Sequence, residues 1–160
     1  MGSLKGKKAL ITGASQGIGA AITKELIERG CNVCIHYFRS PEEPELMRKA
    51  AMEKGQKAIC IRADLTIEED VKRCISEAVD YFGSFDVLIN NSGALVERRS
   101  VSQLDMEYWY KVIDINMTTM MLVTKEIIPY LNRTEGSSII NLASLAGRKG
   151  GHPGSLVYSC

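Results

Sequence analysis

Short apolar runs alternate with segments of helical periodicity along the chain. The runs are rich in Ile, Val, Leu and Cys and lack polar alternation, so they predict parallel β-strands that are covered on both faces. Alternating strands and helices are typical of an α/β fold, here a Rossmann-like doubly wound parallel sheet with right-handed crossovers. The five predicted strands lie at residues 8–12, 32–38, 58–62, 85–90 and 138–142.

Three helices are predicted from apolar residues at helical spacing. The first spans residues 18–29, and Gly30 follows as a stop. Thr66 and Glu69 match a capping box that opens a second helix ending near Phe82. A Met-rich stripe marks a long third helix, and we interpret that stripe as core packing. The stripe consists of Met106, Trp109, Ile113, Met117, Met120, Met121, Ile127 and Leu131.

Composition narrows the class of protein. The 160 residues are 45% hydrophobic and 24% charged, with a formal net charge of +1. These values exclude a disordered or low-complexity chain and give no reason to expect a nucleic acid or an anionic membrane as partner. We expect one domain over residues 1–160, with no membrane span and a cytoplasmic location.

The five cysteines fit a reducing compartment. Cys31 and Cys34 form a C-x-x-C pattern, which in other settings marks a metal or redox site. They lie in a predicted strand, however, where residues three apart point to opposite faces. A zinc site also needs a second pair of ligands, and the sequence offers none at suitable spacing. We therefore predict buried, reduced thiols and no metal.

A glycine-rich segment follows the first strand and leads directly into the first helix. Gly13 permits a tight turn, Gly17 lets a pyrophosphate approach backbone N–H groups, and Gly19 lets helix and sheet pack closely. The helix N-terminus adds positive potential toward the phosphates. The strand–turn–helix context favours a dinucleotide site over the alternative of a merely structural turn.

Several separated motifs together resemble the short-chain dehydrogenase/reductase family. They are the G-x-x-x-G-x-G spacing, the Asn-Asn-Ser-Gly run at residues 90–93, Asn116, Ser144 and Tyr158. The resemblance covers the chain from Lys5 to Cys160, although Ser92 stands where the family usually has Ala. The opening KKALITGASQGIGAAI and residues 150–158 look most like 3-oxoacyl-[acyl-carrier-protein] reductases, and residues 36–40 are also similar to pteridine and carbonyl reductases.

The resemblance implies a catalytic set for reduction of a ketone. Tyr158 would donate the proton, Ser144 would orient the carbonyl oxygen, and Asn116 would hold a helix distortion and a water relay. Ser144 alone could equally form a turn, and Asn116 alone could be a solvated helix residue. A free Tyr has a pKa near ~10, so the hydroxyl needs a neighbouring ammonium and the oxidised nicotinamide to act at neutral pH.

The family supplies that ammonium from a Lys four residues after the Tyr. The corresponding position is 162, and the sequence runs to Cys160. We therefore expect residues 1–160 alone to show no turnover. We also expect the fifth strand, which is internal in the sheet of family members, to have an unpaired edge. A nucleotide-binding module without turnover is the alternative function of a different class.

The end of the second strand predicts NADP (NADPH) as cofactor. NAD-specific folds place Asp or Glu there, whereas this chain has Arg39, which can pair with a 2′-phosphate. Ser40 can bind the same 2′-phosphate or cap the next helix. The resemblance implies that Asp64 accepts a hydrogen bond from the adenine amino group, and the alternative is that Asp64 is an ordinary surface residue. The full predicted cofactor set is Gly13, Ser15, Gln16, Gly17, Ile18, Gly19, Tyr37, Arg39, Ser40, Asp64, Leu65, Asn91, Ser92 and Gly93.

The expected function is reduction of a small-molecule carbonyl substrate. A 3-oxoacyl thioester carried on acyl carrier protein is the first candidate, with Arg133, Arg148 and Lys149 as candidate docking cations. Carbonyl, pteridine, steroid or sugar-alcohol reduction is the alternative. The resemblance also implies a homodimer or homotetramer for the full-length form.

Overall fold

Five parallel strands form one sheet in a computed structural model that describes residues 4–132 and 136–160. The strand order is β3-β2-β1-β4-β5, and every neighbouring pair is parallel. The chain thus winds outward from β1 in both directions, which gives a Rossmann-like α/β fold with a switch point between β1 and β4. The strands are β1 Lys8–Ile11, β2 Asn32–Tyr37, β3 Ala58–Arg62, β4 Val87–Asn90 and β5 Ser138–Asn141.

Helices cover both faces of this sheet. They are α1 Gly17–Glu28, α2 Glu42–Glu53, α3 Glu68–Phe82, α4 Met106–Ile113, α5 Thr119–Ile127 and α6 Ala146–Lys149. A π-helical segment, Asp114–Thr118, joins α4 to α5, and 3₁₀ turns lie at Val101–Gln103, Ile128–Tyr130 and Val157–Ser159. Among the described helices, none combines the length and apolar character that crossing a bilayer requires.

Two apolar cores lie on opposite faces of the sheet. One packs Leu10 and Leu88 against α3 and α5, and the other packs Ile11 and Val33 against α1 and α2. Because side chains alternate along a strand, each core receives every second residue of the central strands. The predicted strand bounds agree with the structure to within two residues, and β3 matches at both ends.

The cysteines separate between these two cores. Cys34 lies in the core beside α3 and α5, and Cys31 lies in the other, so the C-x-x-C pair points to opposite faces. Burial raises the pKa of Cys31 and of Cys74 to about 12. Cys160 is exposed, which differs from the prediction of buried thiols.

Both predicted helix caps are wrong. The Thr66 hydroxyl donates to Asp64 Oδ1 at 2.6 Å, and α3 begins at Glu68 without a side-chain cap. The alternative role of Ser40 as a cap is also absent, because Pro41 is the N-cap residue of α2 and no side chain caps that helix. In each case the hydroxyl lies outside the cap position.

The interpretation of the Met-rich stripe as core packing is wrong for four of its eight members, which are exposed, whereas Ile127 is buried in the core. Met106, Met117 and Met121 are exposed, whereas Tyr108 and Val112 are buried. Apolar residues occupy exposed as well as covered positions of this helix, so periodicity alone did not identify the covered face. The predicted helix also ends early, at Ile127, because Pro129 in the next turn lacks an N–H donor.

Strand β5 lies at the edge of the sheet. Within the described part of the chain it pairs with β4 only, and all four of its residues are exposed. Ile139 and Ile140 are apolar yet 39% and 48% exposed.

Candidate cofactor and active site

The glycine-rich turn lies at the carboxyl end of β1, where it leads into α1. Gly13 has φ +62° and Gly17 has φ +55°, a backbone region that side chains other than glycine rarely adopt. At Gly19 an added Cβ would collide with the Gly13 carbonyl oxygen and with Asn91 Nδ2. At Gly17 an added Cβ would meet nothing within 4 Å, so the space beside that backbone is open to a ligand.

The N-terminus of α1 presents unused donors to that space. Its N-cap residue, Gln16, makes no side-chain cap bond, and the first turn contains no acidic residue. The first intrahelical bond comes from Ala20 N to Gln16 O at 3.2 Å, so the amides of residues 17–19 have no partner among the described residues. Free N–H groups and the helix dipole together suit a pyrophosphate.

The end of β4 holds the turn in place. Asn91 Nδ2 donates to the carbonyl oxygens of Thr12 and Gly13, each at 2.9 Å. Thr12 Oγ1 in turn accepts from the backbone N–H groups of Asn91 and Ser92, each at 3.0 Å. Thr12 is buried, so these bonds lie in a low-dielectric interior and restrain both strand ends together. Gly93 follows, exposed.

Two guanidinium groups lie near the end of β2. Arg39 is exposed, stacks 5.5 Å from the Phe38 ring centroid and forms no ion pair with another described residue. Arg62, which the sequence prediction missed, donates from Nε to Phe38 O at 3.0 Å. Arg62 is opposite Tyr37 in the parallel register of β2 and β3, so its position near the end of β2 follows only from the pairing of these strands.

The loop after β3 contributes Asp64 and Leu65. Asp64 Oδ1 accepts from the N–H and the hydroxyl of Thr66, at 3.0 and 2.6 Å. Both bonds end on one oxygen, which leaves the lone pairs of Oδ2 for a further donor. The Asp64 N–H donates to Asp70 Oδ2 at 2.7 Å, and this bond together with Arg73 lowers the pKa of Asp70. Leu65 is buried.

Asn116 lies in the π-helical segment between α4 and α5. Its Oδ1 accepts from the Ala94 N–H at 3.0 Å, and its Nδ2 donates to Ala94 O and Val112 O, each at 2.9 Å. Both amide hydrogens are therefore used, and the side chain joins the loop after β4 to the distorted helix. A π-turn also leaves the regular i→i−4 ladder, as is frequent at functional sites.

Ser144 and Tyr158 line one cleft of about 410 Å³. Ser144 follows β5, and its Oγ accepts from the Ala146 N–H at 3.1 Å. Tyr158 is half-buried and packs against the small cluster of Tyr108, Val112 and Val157. This packing positions the phenol through α4, so the structure brings together two residues that lie on separate segments. The cleft also contains Arg98, Lys149 and His152, three basic residues without a carboxylate beside them in the lining.

Comparison with known proteins identifies the family. The profile described as short chain dehydrogenase matches residues 7–160. The chain belongs to the short chain dehydrogenase family. The family assignment agrees with the parallel sheet, the glycine turn and the shared cleft of Ser144 and Tyr158.

Characterised members of the family are similar over nearly the whole chain. The 3-oxoacyl-[acyl-carrier-protein] reductase FabG of Staphylococcus epidermidis is 36% identical over 152 residues, which are 95% of this chain and 62% of the relative. Tetrahydroxynaphthalene reductase of Pyricularia oryzae is 36% identical over 157 residues, 98% of this chain and 54% of the relative. The chain thus spans less than two thirds of the length of these curated relatives.

Solved structures of short chain dehydrogenases show the same fold. The NADH-dependent reductase A1-R′ complexed with NAD superposes with a TM-score of 0.91 at 35% identity, over 98% of this chain and 67% of its own. A short chain dehydrogenase from Burkholderia cenocepacia in complex with NADP gives 0.90 at 28% identity, over 99% and 63%. Both dinucleotides thus occur among similar structures, so these neighbours do not distinguish NAD from NADP for this chain.

Proposed function

We propose that this chain provides the cofactor site and part of the catalytic site of an NADPH-dependent reductase that converts a ketone to a secondary alcohol. The observation that carries the proposal is the cleft shared by Ser144 and Tyr158. Two hydroxyl groups in one cleft can both hydrogen-bond a carbonyl oxygen, which is the requirement for orienting and protonating it.

The cofactor proposal rests on four places at the carboxyl edge of the sheet, one after each of β1, β2, β3 and β4. The open N-terminus of α1 would receive the pyrophosphate, with Ser15 and the amides of residues 17–19 around it. Arg39 and Ser40 would hold the 2′-phosphate, with no Asp or Glu between residues 36 and 41 to repel it. Asp64 Oδ2 and Leu65 would contact the adenine, and the run Asn91–Ser92–Gly93 would border the nicotinamide half.

The proposed reaction assigns one task to each catalytic side chain. A bound NADPH supplies the hydride for the carbonyl carbon. Tyr158 donates its phenolic proton to the carbonyl oxygen, and Ser144 donates a hydrogen bond that orients that oxygen. Asn116 is a positioning residue, because its amide is fully used in holding Ala94 and Val112.

The proposed substrate is a 3-oxoacyl thioester. A relative with this activity in its name is 36% identical, and the cleft has apolar walls at Leu95, Leu145 and Ala146 that suit an acyl chain. Lys149 in the lining of the cleft and the neighbouring Arg148 are both exposed and would attract an acidic acyl carrier protein. The third predicted docking cation, Arg133, lies outside the described residues.

We also propose a homo-oligomer and a cytoplasmic location. Met106, Tyr110, Met117 and Met121 are all more than half exposed on the helix that runs through α4 and α5. An apolar surface of this kind favours association with a second copy. Light scattering should give at least twice the monomer mass, and Met117→Lys should lower it. The five unpaired cysteines suit a reducing compartment.

Turnover measured in the polypeptide that carries this sequence tests the function. Oxidation of NADPH is followed with acetoacetyl thioester and, separately, with a simple diketone and a pterin. We expect turnover of all carbonyl substrates that fit the cleft, with kcat/KM highest for the thioester. A preference for the diketone or pterin supports the carbonyl- or pteridine-reductase alternative, and NADPH binding without any turnover supports the binding module.

A further inference from the structure

His36 bridges two loops at the cofactor edge of the sheet. It lies on β2 and is only 3% exposed. Its Nδ1 lies 3.1 Å from the Gly13 amide nitrogen, and its Nε2 lies 3.0 Å from the Ala63 carbonyl oxygen. The ring therefore joins the glycine turn after β1 to the segment that follows β3.

The two partners fix the tautomer of this imidazole. A backbone N–H can only donate, so Nδ1 must accept from Gly13 and carry no proton. A carbonyl oxygen can only accept, so Nε2 must carry the proton and donate it to Ala63 O. The bridge therefore exists only while the ring is neutral, because a proton on Nδ1 would face the Gly13 N–H donor.

The main chain of His36 restrains the same turn. Its carbonyl oxygen accepts from the Ala14 N–H at 2.9 Å. The first two amides of the turn are thus both bonded to residue 36 and are directed away from the phosphate space. Only the amides after them remain for a ligand, and their placement depends on how Gly13 and Ala14 are held.

We propose that His36 is a positioning residue for the dinucleotide site, whose neutral ring holds the glycine turn in its binding geometry and releases that turn when Nδ1 is protonated. The inference rests on the proposed function, because it requires that this turn binds the pyrophosphate. Release would move the N–H donors of residues 17–19 and weaken the binding of any dinucleotide, with or without a 2′-phosphate.

The surroundings of the ring keep it neutral near physiological pH. Burial lowers the pKa of His36 below its usual 6.5, and this effect outweighs the opposing hydrogen bond to Ala63 and the fields of Asp64 and Asp70. Those two carboxylates lie after β3 and on α3, and the glycine turn contributes only uncharged amides. The unfolded chain takes up the proton at higher pH than the folded one, so stability falls as pH drops below about 6.5.

Calorimetric titration with NAD⁺ and NADP⁺ tests the proposal in the parent protein and two variants, at pH values on both sides of the protonation midpoint of His36. The 2′-phosphate itself titrates near pH ~6, so only NAD⁺ isolates the protein's contribution. Nitrogen-resolved NMR of the free protein locates the protonation midpoint of His36 independently. His36→Asn retains an acceptor for the Gly13 N–H, whereas His36→Phe retains the ring shape without an acceptor.

We expect the NMR spectrum to show a proton on Nε2 alone at neutral pH. Below the midpoint, NAD⁺ affinity of the parent should fall by up to about tenfold per pH unit. His36→Asn should bind within about threefold of the parent at neutral pH with a flat profile, and His36→Phe should bind at least about tenfold more weakly, equivalent to ~1.4 kcal/mol.

Three results would overturn the inference. They are a proton on Nδ1 in the neutral ring, NAD⁺ affinity that stays constant across the NMR midpoint, and unchanged affinity in folded His36→Phe. If the folded parent binds neither dinucleotide at any pH, the proposed function fails, whereas the tautomer assignment is decided by the NMR spectrum alone.

Discussion

Replacing Arg39 by alanine should remove the preference for NADPH over NADH. Arg39 is exposed, lies 5.5 Å from the Phe38 ring and has no ion-pair partner among the residues described. Its guanidinium is therefore available to a 2′-phosphate without first breaking an ion pair to another described residue. NADH lacks that phosphate, so its binding should not depend on Arg39.

The expected loss of NADPH affinity depends on how exposed the contact between Arg39 and the 2′-phosphate would be. A charge-assisted hydrogen bond contributes roughly 1.5–3 kcal/mol, and solvent screening at an exposed site reduces that value. We take about 1.4 kcal/mol, which corresponds to a tenfold difference in dissociation constant. The parent should thus bind NADPH at least about tenfold more tightly than NADH, and Arg39→Ala should bring the ratio close to one.

Fluorescence titration with both reduced cofactors measures the ratio. Arg48→Ala is the matched control, since Arg48 lies on α2 and bonds Glu45 at 2.8 Å. Arg62→Ala should lose less than Arg39→Ala, because Arg62 Nε already donates to Phe38 O. Equal affinities in the parent, or an equal loss of both cofactors in Arg39→Ala, would refute the reasoning.

Three further predictions concern the framework of the site. Gly19→Ala should destabilise the fold by about 1–3 kcal/mol in denaturant titrations and weaken dinucleotide binding. Gly147→Ala is the control, because an added Cβ there meets nothing within 4 Å, and its free energy of unfolding should stay within about 0.5 kcal/mol of the parent value. Burial raises the pKa of Asp86, but bonds from the Lys8 N–H, Asn132 and Lys7 outweigh it and lower the pKa overall; stability should therefore fall as pH drops below about 4, and Asp86→Asn should reduce that dependence. Asn116→Ala should lower kcat by about tenfold or more with little change in cofactor affinity, and equal losses in both would contradict its positioning role.

Periodicity and turn chemistry predicted the elements of the sheet well. Strands buried on both faces carry continuous apolar runs, so β3 is bounded correctly and β1 to within one residue. The predicted helix caps failed because each helix begins later than its motif indicates, with Ile67 and Pro41 at the N-cap positions, while the Thr66 hydroxyl donates to Asp64. Local sequence does not reveal which of two possible hydrogen-bond partners a short side chain will bind.

Contacts between distant segments could not be predicted from the sequence. The His36 bridge joins Gly13 to Ala63, and Arg62 lies beside Phe38 only through the β2–β3 pairing. The family motifs predict which residues form the site, but they do not predict the hydrogen bonds that restrain those residues. Those bonds depend on strand order and register, which no single segment contains.

Turnover and NADPH affinity of Tyr158→Phe, measured together, test the central proposal most directly. The substitution removes one hydroxyl from the cleft and leaves the ring that packs against Val112 and Val157. In the polypeptide that carries this sequence, we expect kcat for ketone reduction to fall at least about 100-fold while the NADPH dissociation constant changes by less than about twofold. Tyr81→Phe, on α3 and away from the cleft, should match the parent. Turnover of Tyr158→Phe within a few-fold of the parent would contradict the account.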